Sequence, residues 1–527
     1  MIPVLRVSQM RQIDRMAIGE NTTLGYSYML KAGLGLLNSA RELVPDNRAG
    51  EIAILCGKGN NGGDGYVAGR MLLDAGYRVM CFSLYNTEEL KGECKVAFEE
   101  YMSQKGNHLV ISDPADLANL SRYKLIIDAM LGTGLKGDPH GLCAMAIDAI
   151  NNSGVTVLSA DTPSGLNNDT GVPGNPCIKA DVTVTMGYPK IGLYFHPGRM
   201  YAGNVVVQDL SYPDEVVSGE KNWLCYPELE DMVQFLPQRH PAGSKYDHGV
   251  ALLICGSKGM TGSAALASES ALKSGCGMVH LAAPESLLPV LSIKLTEPVL
   301  HPLDETANGT VSFSAIDQIK ELASNKQSLC VGPGLSHEDQ TSKLIREVIK
   351  SIVLPTVLDA DGINAFKNYT EELKAHAGDL LITPHRGEWK RLFGDLPEDP
   401  SETIEMLKAK ARKFGMTILL KGSPTLIAGY DGSAYILPFG NSALATAGTG
   451  DVLSGIIVSL IAQGAPVISA AILGSYIQAQ AGTLASNHFG EHSVIASDVA
   501  ANIFRVIRAI AENQRFLNLR RLLLSNA

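Results

Sequence analysis

The run Glu51–Cys56 (EIAILC) leads into Gly57–Gly65 (GKGNNGGDG), and Tyr66–Gly76 (YVAGRMLLDAG) follows with a helical pattern. A buried strand, a glycine-rich turn and a helix are typical of a doubly wound parallel sheet. Such a turn lets backbone N–H groups and the helix N-terminus face a phosphate. The stretch therefore predicts an α/β fold with an anion-binding crevice where the helix begins.

The same alternation of strands and helical segments continues to about residue 215, and a second series begins near Gly249. Residues 211–245 between the two series are rich in proline and charge and show no sustained periodicity. With 527 residues the chain should build at least two hydrophobic cores. We predict two α/β domains, residues 1–220 and residues 221–527.

Composition excludes several classes of protein. The 54 acidic and 44 basic side chains leave a net charge of -10, so nucleic acid is not an expected partner. Nine scattered cysteines without a C-x-x-C pair indicate neither a disulfide framework nor a cysteine zinc site, which suits a reducing cytoplasm. Charged residues near the N-terminus come before any apolar run of secretory length, so no export signal is predicted. The uncharged stretch 452–487 is broken at Gln463–Pro466, which favours two buried helices over a membrane span.

The glycine-rich turn has two interpretations when it is considered alone. Gly57, Gly59 and Gly62 match the dinucleotide fingerprint G-x-G-x-x-G. That fingerprint expects an acidic residue about 20 residues later, where the chain has Ser83–Asn86. An ordinary NAD-dehydrogenase site is therefore not predicted, and glycines needed only for tight packing remain an alternative.

Two aspartates stand where later strands should end. Asp128 lies in the run LIIDAML, and Asp161 follows the run VTVLSA. Ligands of open α/β sheets bind beyond the carboxyl ends of the strands, so both residues could reach the glycine-rich turn. Each of them alone could equally be a helix cap or a turn former.

Three motifs together carry a family resemblance: Gly57–Gly65, Asp128–Asp138 (DAMLGTGLKGD) and Asp161–Gly171 (DTPSGLNNDTG). In combination they resemble the NAD(P)H-hydrate epimerase domain over nearly its whole length, which implies a Rossmann-like doubly wound sheet. The resemblance implies that two loops and Asp161 hold the hydrated dinucleotide. The loop residues are Asn60, Asn61, Gly62, Gly63 and Asp64, and Gly132, Thr133, Gly134, Leu135, Lys136, Gly137 and Asp138.

The resemblance also implies a potassium ion held by Asn61, Asp128 and Ser164, whose oxygens are the hard donors that an alkali cation prefers. Inverting the hydrated ring carbon requires proton movement, for which Asp161 is the first candidate and Lys136 the second. The chain departs from the family in one helix. Related chains carry an acidic residue in L-M-E-x-A-G, where this chain has leucine in Tyr28–Gly33 (YMLKAG).

The second domain contains Ala443–Gly455 (ALATAGTGDVLSG), a glycine turn that leads into an apolar helix. Backbone N–H groups at such a helix start can stabilise charge on a phosphoryl group in transfer. Asp451 in the same turn can accept a proton from an attacking hydroxyl. As a bare pattern, G-T-G-D could also be only a helix cap.

Further motifs precede that turn, among them Gly256–Ala264, Gly332–Leu335, Val357–Gly362, Thr383–Glu388 and Lys421–Thr425. In this order they resemble the ADP-dependent NAD(P)H-hydrate dehydratase over residues 235–510, which implies a ribokinase-like α/β fold. The implied nucleotide-binding residues are Lys421, Gly422, Ser423, Pro424, Thr425 and Gly450. The implied hydrate-binding residues are Ala264, Gly334, His385 and Asp451. His385 alone could be structural, and Lys421 alone could be a solvated surface charge.

Together the resemblances predict a bifunctional enzyme that epimerises hydrated NADH and NADPH and dehydrates the S epimer. Kinship with kinases suggests that Asp451 deprotonates the ring hydroxyl, which attacks the terminal phosphoryl of ADP with Mg²⁺ assisting. Phosphate would then leave, and AMP would remain. A cytoplasmic homo-oligomer is expected. Two alternatives stay open: a small-molecule kinase with an appended dinucleotide-binding module, and a first domain that binds without catalysis.

Overall fold

The computed structural model describes residues 1–19, 21–134, 137–217 and 223–525. It divides the chain into two compact units, here termed the N-terminal unit and the C-terminal unit. The first comprises Pro3–Trp223 with Asp399–Ser401, and the second comprises Leu224–Glu398 and Glu402–Ala527 with Met1–Ile2. The predicted boundary near residue 220 falls outside the described residues. The assignment of activities to residues 1–220 and 221–527 stays a prediction.

A short strand, β1 (Ile2–Val4), opens the chain, and seven parallel strands follow as the sheet of the N-terminal unit. These seven are β2 (Glu51–Cys56), β3 (Arg78–Ser83), β4 (Asn107–Val110), β5 (Leu125–Ala129), β6 (Val157–Ala160), β7 (Val182–Met186) and β8 (Asn204–Gln208). Their spatial order is β4-β3-β2-β5-β6-β7-β8. The order reverses between β2 and β5, which is where open α/β sheets bind ligands.

Helices connect these strands and cover both faces of the sheet, as a parallel sheet requires. Alternate residues of β2 pack into different clusters: Ile52 and Ile54 join one cluster, whereas Ala53 and Leu55 join the other. Burial on both faces explains why β2 has a continuous apolar run instead of an alternating one. The helices are α1 (Val7–Ile18), α2 (Thr22–Leu43), α3 (Asn60–Asp74), α4 (Gly92–Ser103), α5 (Gly141–Asn151), α6 (Gly198–Ala202) and α7 (Asp214–Val217).

The strands of the C-terminal unit are β9 (Leu224–Tyr226), β10 (Val250–Ile254), β11 (Met278–Pro284), β12 (Val299–Leu303), β13 (Ser328–Val331), β14 (Thr356–Leu358), β15 (Leu380–Ile382), β16 (Thr417–Leu420), β17 (Thr425–Ala428) and β18 (Ala434–Leu437). They lie in the order β9-β18-β17-β16-β15-β14-β13-β10-β11-β12. Strands β10 to β16 pair in parallel, and β17 is antiparallel to both neighbours. Here the order reverses between β10 and β13.

The helices of this unit are α8 (Leu229–Phe235), α9 (Thr261–Lys273), α10 (Leu288–Lys294), α11 (Ile316–Ala323), α12 (Asp339–Ser351), α13 (Asp361–Asn364), α14 (Arg386–Phe393), α15 (Pro400–Phe414), α16 (Thr449–Ala462), α17 (Val467–Phe489) and α18 (Ala496–Ser525). The uncharged stretch 452–487 forms α16 and α17, which confirms two helices interrupted near Pro466. Both contribute many side chains to the core of the unit. Across the described ranges, no helix is both long enough and apolar enough to cross a membrane.

Candidate active sites

A pocket of about 590 Å³ lies at the strand reversal of the N-terminal unit. Loops that follow β2, β5, β6 and β7 contribute to its walls, as do α1 and α2. The predicted substrate-binding residues that line it are Asn60, Asn61, Asp64, Gly132, Thr133, Gly134 and Asp161. The fold therefore brings together residues that are about 100 positions apart in the chain.

The remaining predicted epimerase residues have other environments. Gly62 and Gly63 are buried in the first turn of α3. Gly137 and Asp138 line a second pocket of about 340 Å³, to which Thr133 also contributes. Leu135 and Lys136 lie outside the described residues.

The glycines after β2 serve two purposes. A Cβ atom on Gly62 would lie 1.9 Å from the carbonyl oxygen of Gly57, so this turn requires glycine for packing. A Cβ atom on Gly59, by contrast, would have no neighbour within 4 Å. Tight packing therefore explains the glycine at position 62. It does not explain Gly59, which lines the pocket and leaves room there for the approach of a ligand.

Asp128 and Ser164 form one hydrogen-bonded group. The Ser164 hydroxyl donates to Oδ1 of Asp128 at 2.6 Å, and the Ser164 backbone N–H donates to Oδ2 at 2.8 Å. Asp128 is fully buried, and burial raises its pKa although these hydrogen bonds oppose the effect. The Ser164 hydroxyl also accepts from the backbone N–H of Leu131 at 2.9 Å.

Asn61 lies beside this group. A Cβ atom on Gly132, next to Leu131, would lie 3.4 Å from the Cβ of Asn61. Both polar atoms of the Asn61 amide are buried and have no hydrogen-bond partner in the described structure. Buried polar atoms are rarely left unpaired, so this amide fits a role as a ligand of an ion or a substrate.

Asp161 has a partner that the sequence did not reveal. The Lys190 ammonium donates to Oδ1 of Asp161 in a short contact, and the backbone N–H of Met186 donates to the same oxygen at 3.1 Å. The Lys190 side chain is only 1% exposed. An ammonium buried to this degree needs a paired carboxylate, so Asp161 is held in place as an anion.

Two more carboxyls line the same pocket. The Tyr212 hydroxyl donates to Oδ1 of Asp14 at 2.6 Å, and burial raises the pKa of Asp14 although this hydrogen bond opposes the effect. Burial also raises the pKa of Asp64 well above its usual range, and the carboxylate of Asp161 adds to the effect. Asp14 lies outside the motifs of the sequence analysis, so no sequence motif pointed to it.

The helix segment Tyr28–Gly33, where the chain departs from the family pattern, contributes to the wall of this pocket. Lys31 donates to the backbone carbonyl oxygen of Leu210 at 2.7 Å, and its ammonium lies over the ring of Tyr28 at 5.3 Å. Tyr28 itself lines the pocket. Lys31 therefore fixes one wall of the site through a backbone contact.

In the C-terminal unit, the predicted functional residues gather at the carboxyl ends of the parallel strands. Gly448, with φ of 91°, precedes α16, and Asp451 lies in the first turn of that helix. Burial raises the pKa of Asp451 to about 6, and the Asp359 carboxylate adds to the rise while a hydrogen bond from Ser263 opposes it. A carboxylate with this pKa is ionised at neutral pH and is still basic enough to accept a proton.

Lys421 does not point freely into solvent. Its ammonium donates to Oδ1 of Asp359 at 2.7 Å and lies 3.8 Å from Oε2 of Glu388. Burial alone would lower the pKa of Lys421, but these two carboxylates outweigh burial and raise it. Lys421 is therefore a fixed positive charge whose side chain remains 22% exposed.

Asp359 anchors this charge to the glycine turn. It is 2% exposed, and its second oxygen accepts from the Ser454 hydroxyl at 2.8 Å. Burial alone would raise the pKa of Asp359, but Lys421 lowers it below the usual value. A Cβ atom on Gly450 would lie 3.6 Å from Nζ of Lys421 and 3.7 Å from Oδ2 of Asp359. The predicted nucleotide-binding residues Lys421 and Gly450 therefore face each other.

The other predicted residues of this site lie nearby. His385 caps α14: its Nδ1 accepts from the N–H groups of Gly387 and Glu388, and its side chain is 53% exposed. A Cβ atom on Gly334, with φ of 66°, would lie 3.0 Å from the Cβ of Ser263, which precedes the buried Ala264. Gly422, Ser423 and Pro424 join β16 to β17, which begins at Thr425.

Lys190, Asp359, Glu388 and Ser454 were not predicted to be functional. Asp359 and Glu388 stand inside motifs that carry the resemblance, which is the signal that could have found them. Lys190 follows β7 in Y-P-K, where a lysine has the appearance of a surface charge. In the described ranges, no group of three or more His, Cys, Asp or Glu residues is placed to hold a metal ion.

Each of the two units is an α/β sheet with a cluster of polar residues at its strand ends. The site of the N-terminal unit has the form of a dinucleotide-binding crevice, and that of the C-terminal unit has the form of a phosphoryl-transfer crevice. The family described as NAD(P)H-hydrate dehydratase matches residues 251–505, and the family described as YjeF-related protein N-terminus matches residues 25–192. This confirms the predicted fold class, a Rossmann-like doubly wound sheet plus a ribokinase-like α/β domain.

Relatives cover almost the whole chain. The bifunctional NAD(P)H-hydrate repair enzyme Nnr of Moorella thermoacetica is 37% identical over 97% of both chains, and that of Thermofilum pendens is 34% identical over 97% of both. The chain belongs to this family of bifunctional NAD(P)H-hydrate repair enzymes, as predicted. Among solved structures, the ADP/ATP-dependent NAD(P)H-hydrate dehydratase of Bacillus subtilis, co-crystallised with ATP and Mg²⁺, is 26% identical over 55% of this chain and 99% of that one, with a TM-score of 0.47.

Proposed function

We propose that this chain repairs NADH and NADPH that have been hydrated on the nicotinamide ring. The N-terminal unit interconverts the R and S epimers of the hydrate, and the C-terminal unit dehydrates the S epimer at the expense of a nucleotide. The observation that carries the proposal is the similarity to the Moorella enzyme, which extends over 97% of this chain and includes both units. Each unit also has a polar cluster at its strand ends, in the place that such chemistry needs.

For the epimerase site we propose that the pocket residues from Asn60 to Asp64, the loop 132–138 and Asp161 bind the hydrate. Asp161 is supported by its place in the pocket and by the buried Lys190 that keeps it anionic. Lys136 stays a candidate on the resemblance alone. Because epimerisation inverts a hydroxyl-bearing ring carbon and requires proton movement, a fixed carboxylate beside that carbon is the required group.

A potassium ion fits the donors on one side of this pocket. The orphaned amide of Asn61 supplies an oxygen, and the buried carboxylate of Asp128 supplies charge beside the Ser164 hydroxyl. When bound, such an ion would neutralise Asp128 and orient the loops. The proposal predicts that replacing K⁺ by tetramethylammonium lowers the epimerase rate and leaves the dehydratase rate unchanged.

For the dehydratase site we propose that Lys421–Thr425 and Gly450 bind the nucleotide. Ala264, Gly334, His385 and Asp451 face the hydrate. Asp451 accepts the proton of the ring hydroxyl, whose oxygen attacks the terminal phosphoryl group of the nucleotide. The backbone N–H groups of Thr449 and Gly450 at the start of α16 stabilise the charge that develops. The lone pair of the ring nitrogen then expels phosphate, which leaves far more readily than hydroxide, and forms a C=N bond. Loss of a proton from the neighbouring ring carbon to water restores the ring double bond.

The nucleotide is ADP or ATP, and ADP is the form we propose because the fused two-domain arrangement of this chain resembles that of the bacterial ADP-dependent enzymes. Mg²⁺, when bound with the nucleotide, would neutralise phosphate charge. The described residues hold no metal-binding group of their own in this region, so the nucleotide phosphates would supply most ligands of the ion. A cytoplasmic homo-oligomer completes the proposal, and the nine cysteines, all free thiols, suit that compartment.

The test is to incubate the full chain with a mixture of both hydrate epimers and to follow the absorbance of reduced nicotinamide. With ADP or ATP, both epimers should be converted completely; without a nucleotide, the epimers should interconvert and no reduced nicotinamide should form. Conversion of only half of the mixture would limit the function to the dehydratase. Accumulation of a phosphorylated product would instead indicate a small-molecule kinase.

A further inference from the structure

Three carboxyls and two ammoniums line the pocket of the N-terminal unit, and one of the ammoniums, that of Lys58, is paired with Glu89 at 3.2 Å. Asp14 comes from α1, Asp64 from α3, Asp161 from the end of β6, and Lys190 from the segment after β7. The three carboxyls have different partners. This difference decides which of them can be charged and which can carry a proton.

Asp161 is the carboxyl with a cation. Besides Asp161, Nζ of Lys190 contacts the Thr185 hydroxyl at 3.1 Å and the Met186 carbonyl oxygen at 3.3 Å. All three N–H groups of the ammonium are therefore used, and the side chain cannot move away without leaving a buried charge unpaired. Asp161 itself has φ of 62°, a backbone conformation that is rare for residues other than glycine and is found at functional sites.

Asp64 is the carboxyl without a partner. It is 8% exposed, it lines the pocket, and it makes no hydrogen bond to any described residue. The titratable groups that face it are Asp14 on α1, Cys94 on α4, Asp161 after β6 and Lys190 after β7. Lys190 is already bound to Asp161 and only partly offsets a negative charge on Asp64, so burial raises the pKa of Asp64.

We propose that the epimerase site divides its work between two aspartates: Lys190 holds Asp161 as the anion, and Asp64 carries the proton. Asp64 and Asp161 are then catalytic residues, whereas Lys190 is a positioning residue. The inference rests on the proposed function of the N-terminal unit. It adds a proton donor and a positioning residue that the family resemblance did not assign.

The proton balance closes with water alone. Asp64 donates its proton to the hydroxyl oxygen on the ring carbon, and the carbon–oxygen bond breaks with its electron pair, which releases water. The lone pair of the adjacent ring nitrogen forms a C=N bond, and the carboxylate of Asp161 stabilises the planar cation. Water then adds to the opposite face, and the proton that it releases returns to the Asp64 carboxylate. No oxidant and no nucleotide are needed.

The test measures epimerisation of purified S hydrate without a nucleotide, from pH 5 to pH 10, by separating the epimers chromatographically. In the wild type, kcat/KM should fall at high pH as Asp64 loses its proton. Asp64→Asn should lower kcat by about 10²–10⁴-fold, the usual contribution of a general acid, and should remove the alkaline limb. Asp64→Glu should keep that limb. Asp148→Asn, at an exposed position of α5, is the matched control and should behave as the wild type.

Lys190→Met tests the positioning role. Without the ammonium, the Asp161 carboxylate loses the contact that holds it in the pocket, so kcat should fall while the alkaline limb stays, and Lys190→Arg should restore kcat in part. A thermal melt of Asp64→Asn at pH 8 should show no loss of stability, because the amide replaces a carboxyl whose charge has no partner. The proposal is overturned if Asp64→Asn keeps the alkaline limb or if Lys190→Met keeps the wild-type kcat. A wild-type protein that does not epimerise at all would overturn the proposed function as well.

Discussion

Asp451 and Asp64 are both carboxyls whose pKa is raised by burial, yet the proposed chemistry needs them in opposite protonation states. Asp451 has to accept a proton, and Lys421 nearby favours its ionised form. Asp64 has to donate a proton, and the ammonium of Lys190 that faces it is already bound to Asp161. The placement of the two lysines therefore separates a base from an acid.

The first prediction concerns the pH dependence of the dehydratase. Because the pKa of Asp451 is about 6 and the base must be ionised, kcat/KM with the S hydrate should rise with pH through about 6 and then level off. Asp451→Asn should lower the rate by about 10²–10⁴-fold and remove this limb. The measurement is the rate of NADH formation from pH 4.5 to pH 8. The epimerase rate of the same variant serves as its control, and an Asp451→Asn profile that keeps the limb would exclude Asp451 as the base.

The second prediction concerns the ion pair of Lys421 and Asp359. Lys421→Met leaves the carboxylate of Asp359, which is 2% exposed, without its cation, so we expect the free energy of unfolding to fall by about 3–5 kcal/mol. Adding Asp359→Asn removes the unpaired charge and should restore most of the stability. Urea denaturation of both variants checks this.

The KM for the nucleotide should be higher than that of the wild type in both variants, because neither has Lys421. Recovery of the wild-type KM in the double variant would exclude Lys421 as a phosphate ligand.

These residue pairs also mark the limit of sequence analysis. The motif order placed Asp451, His385 and Lys421 near one another, and the structure brings Lys421 and Gly450 within reach. The pairing of Lys421 with Asp359 spans 62 positions, and that of Ser454 with Asp359 spans 95. Such pairs arise from strand order, which residue patterns along the chain do not encode. The pairing of Lys190 with Asp161 was not predicted for the same reason.

At the scale of elements, strands with a longer apolar or β-branched run were predictable, including β8 at a sheet edge, and several shorter strands were not. Strands β2, β5 and β10 are buried throughout or nearly so and therefore have continuous apolar runs. Strand β4 is a sheet edge with mostly exposed residues, and β12 at the other sheet's edge contains histidine and proline, so neither was predicted from its pattern. The segment between the two predicted series showed no periodicity, yet β9 and α8 form within it.

The third prediction compares two glycines of the turn that starts α16. Gly448 has φ of 91°, and a Cβ atom there would lie 2.7 Å from Cδ1 of Leu266, so Gly448→Ala should lower stability by about 1–3 kcal/mol. A Cβ atom on Gly450 meets nothing closer than 3.6 Å. Gly450→Ala should therefore keep its melting temperature but raise the KM for the nucleotide, because its methyl group occupies the space beside Lys421. Thermal melts and nucleotide titrations separate the two effects, and a Gly450→Ala variant with wild-type KM would contradict the proposed phosphate site.

At the scale of the whole molecule, the predicted bifunctional repair activity is confirmed by relatives that match the chain from end to end. The two units have separate cores and separate strand reversals. In the proposed mechanism their chemistry is also independent, because epimerisation would need only water and dehydration would need a nucleotide. Fusion in one chain thus supplies both activities in equal amounts without requiring one site to depend on the other.

The fourth prediction follows from this independence. Asp161→Asn should abolish epimerisation and keep dehydration, and Asp451→Asn should do the reverse, so neither variant alone should convert pure R hydrate to NADH. Because the S hydrate is a diffusible product of the first site, an equimolar mixture of the two variants should convert R hydrate completely with ADP present. The rate of NADH formation should rise with the concentration of the Asp161→Asn variant, since diffusing S hydrate then meets more active dehydratase. A buffer blank corrects for epimerisation in solution. If the mixture fails although each variant keeps its remaining activity, the S hydrate must pass between sites of the same molecule, and the two units would not be independent.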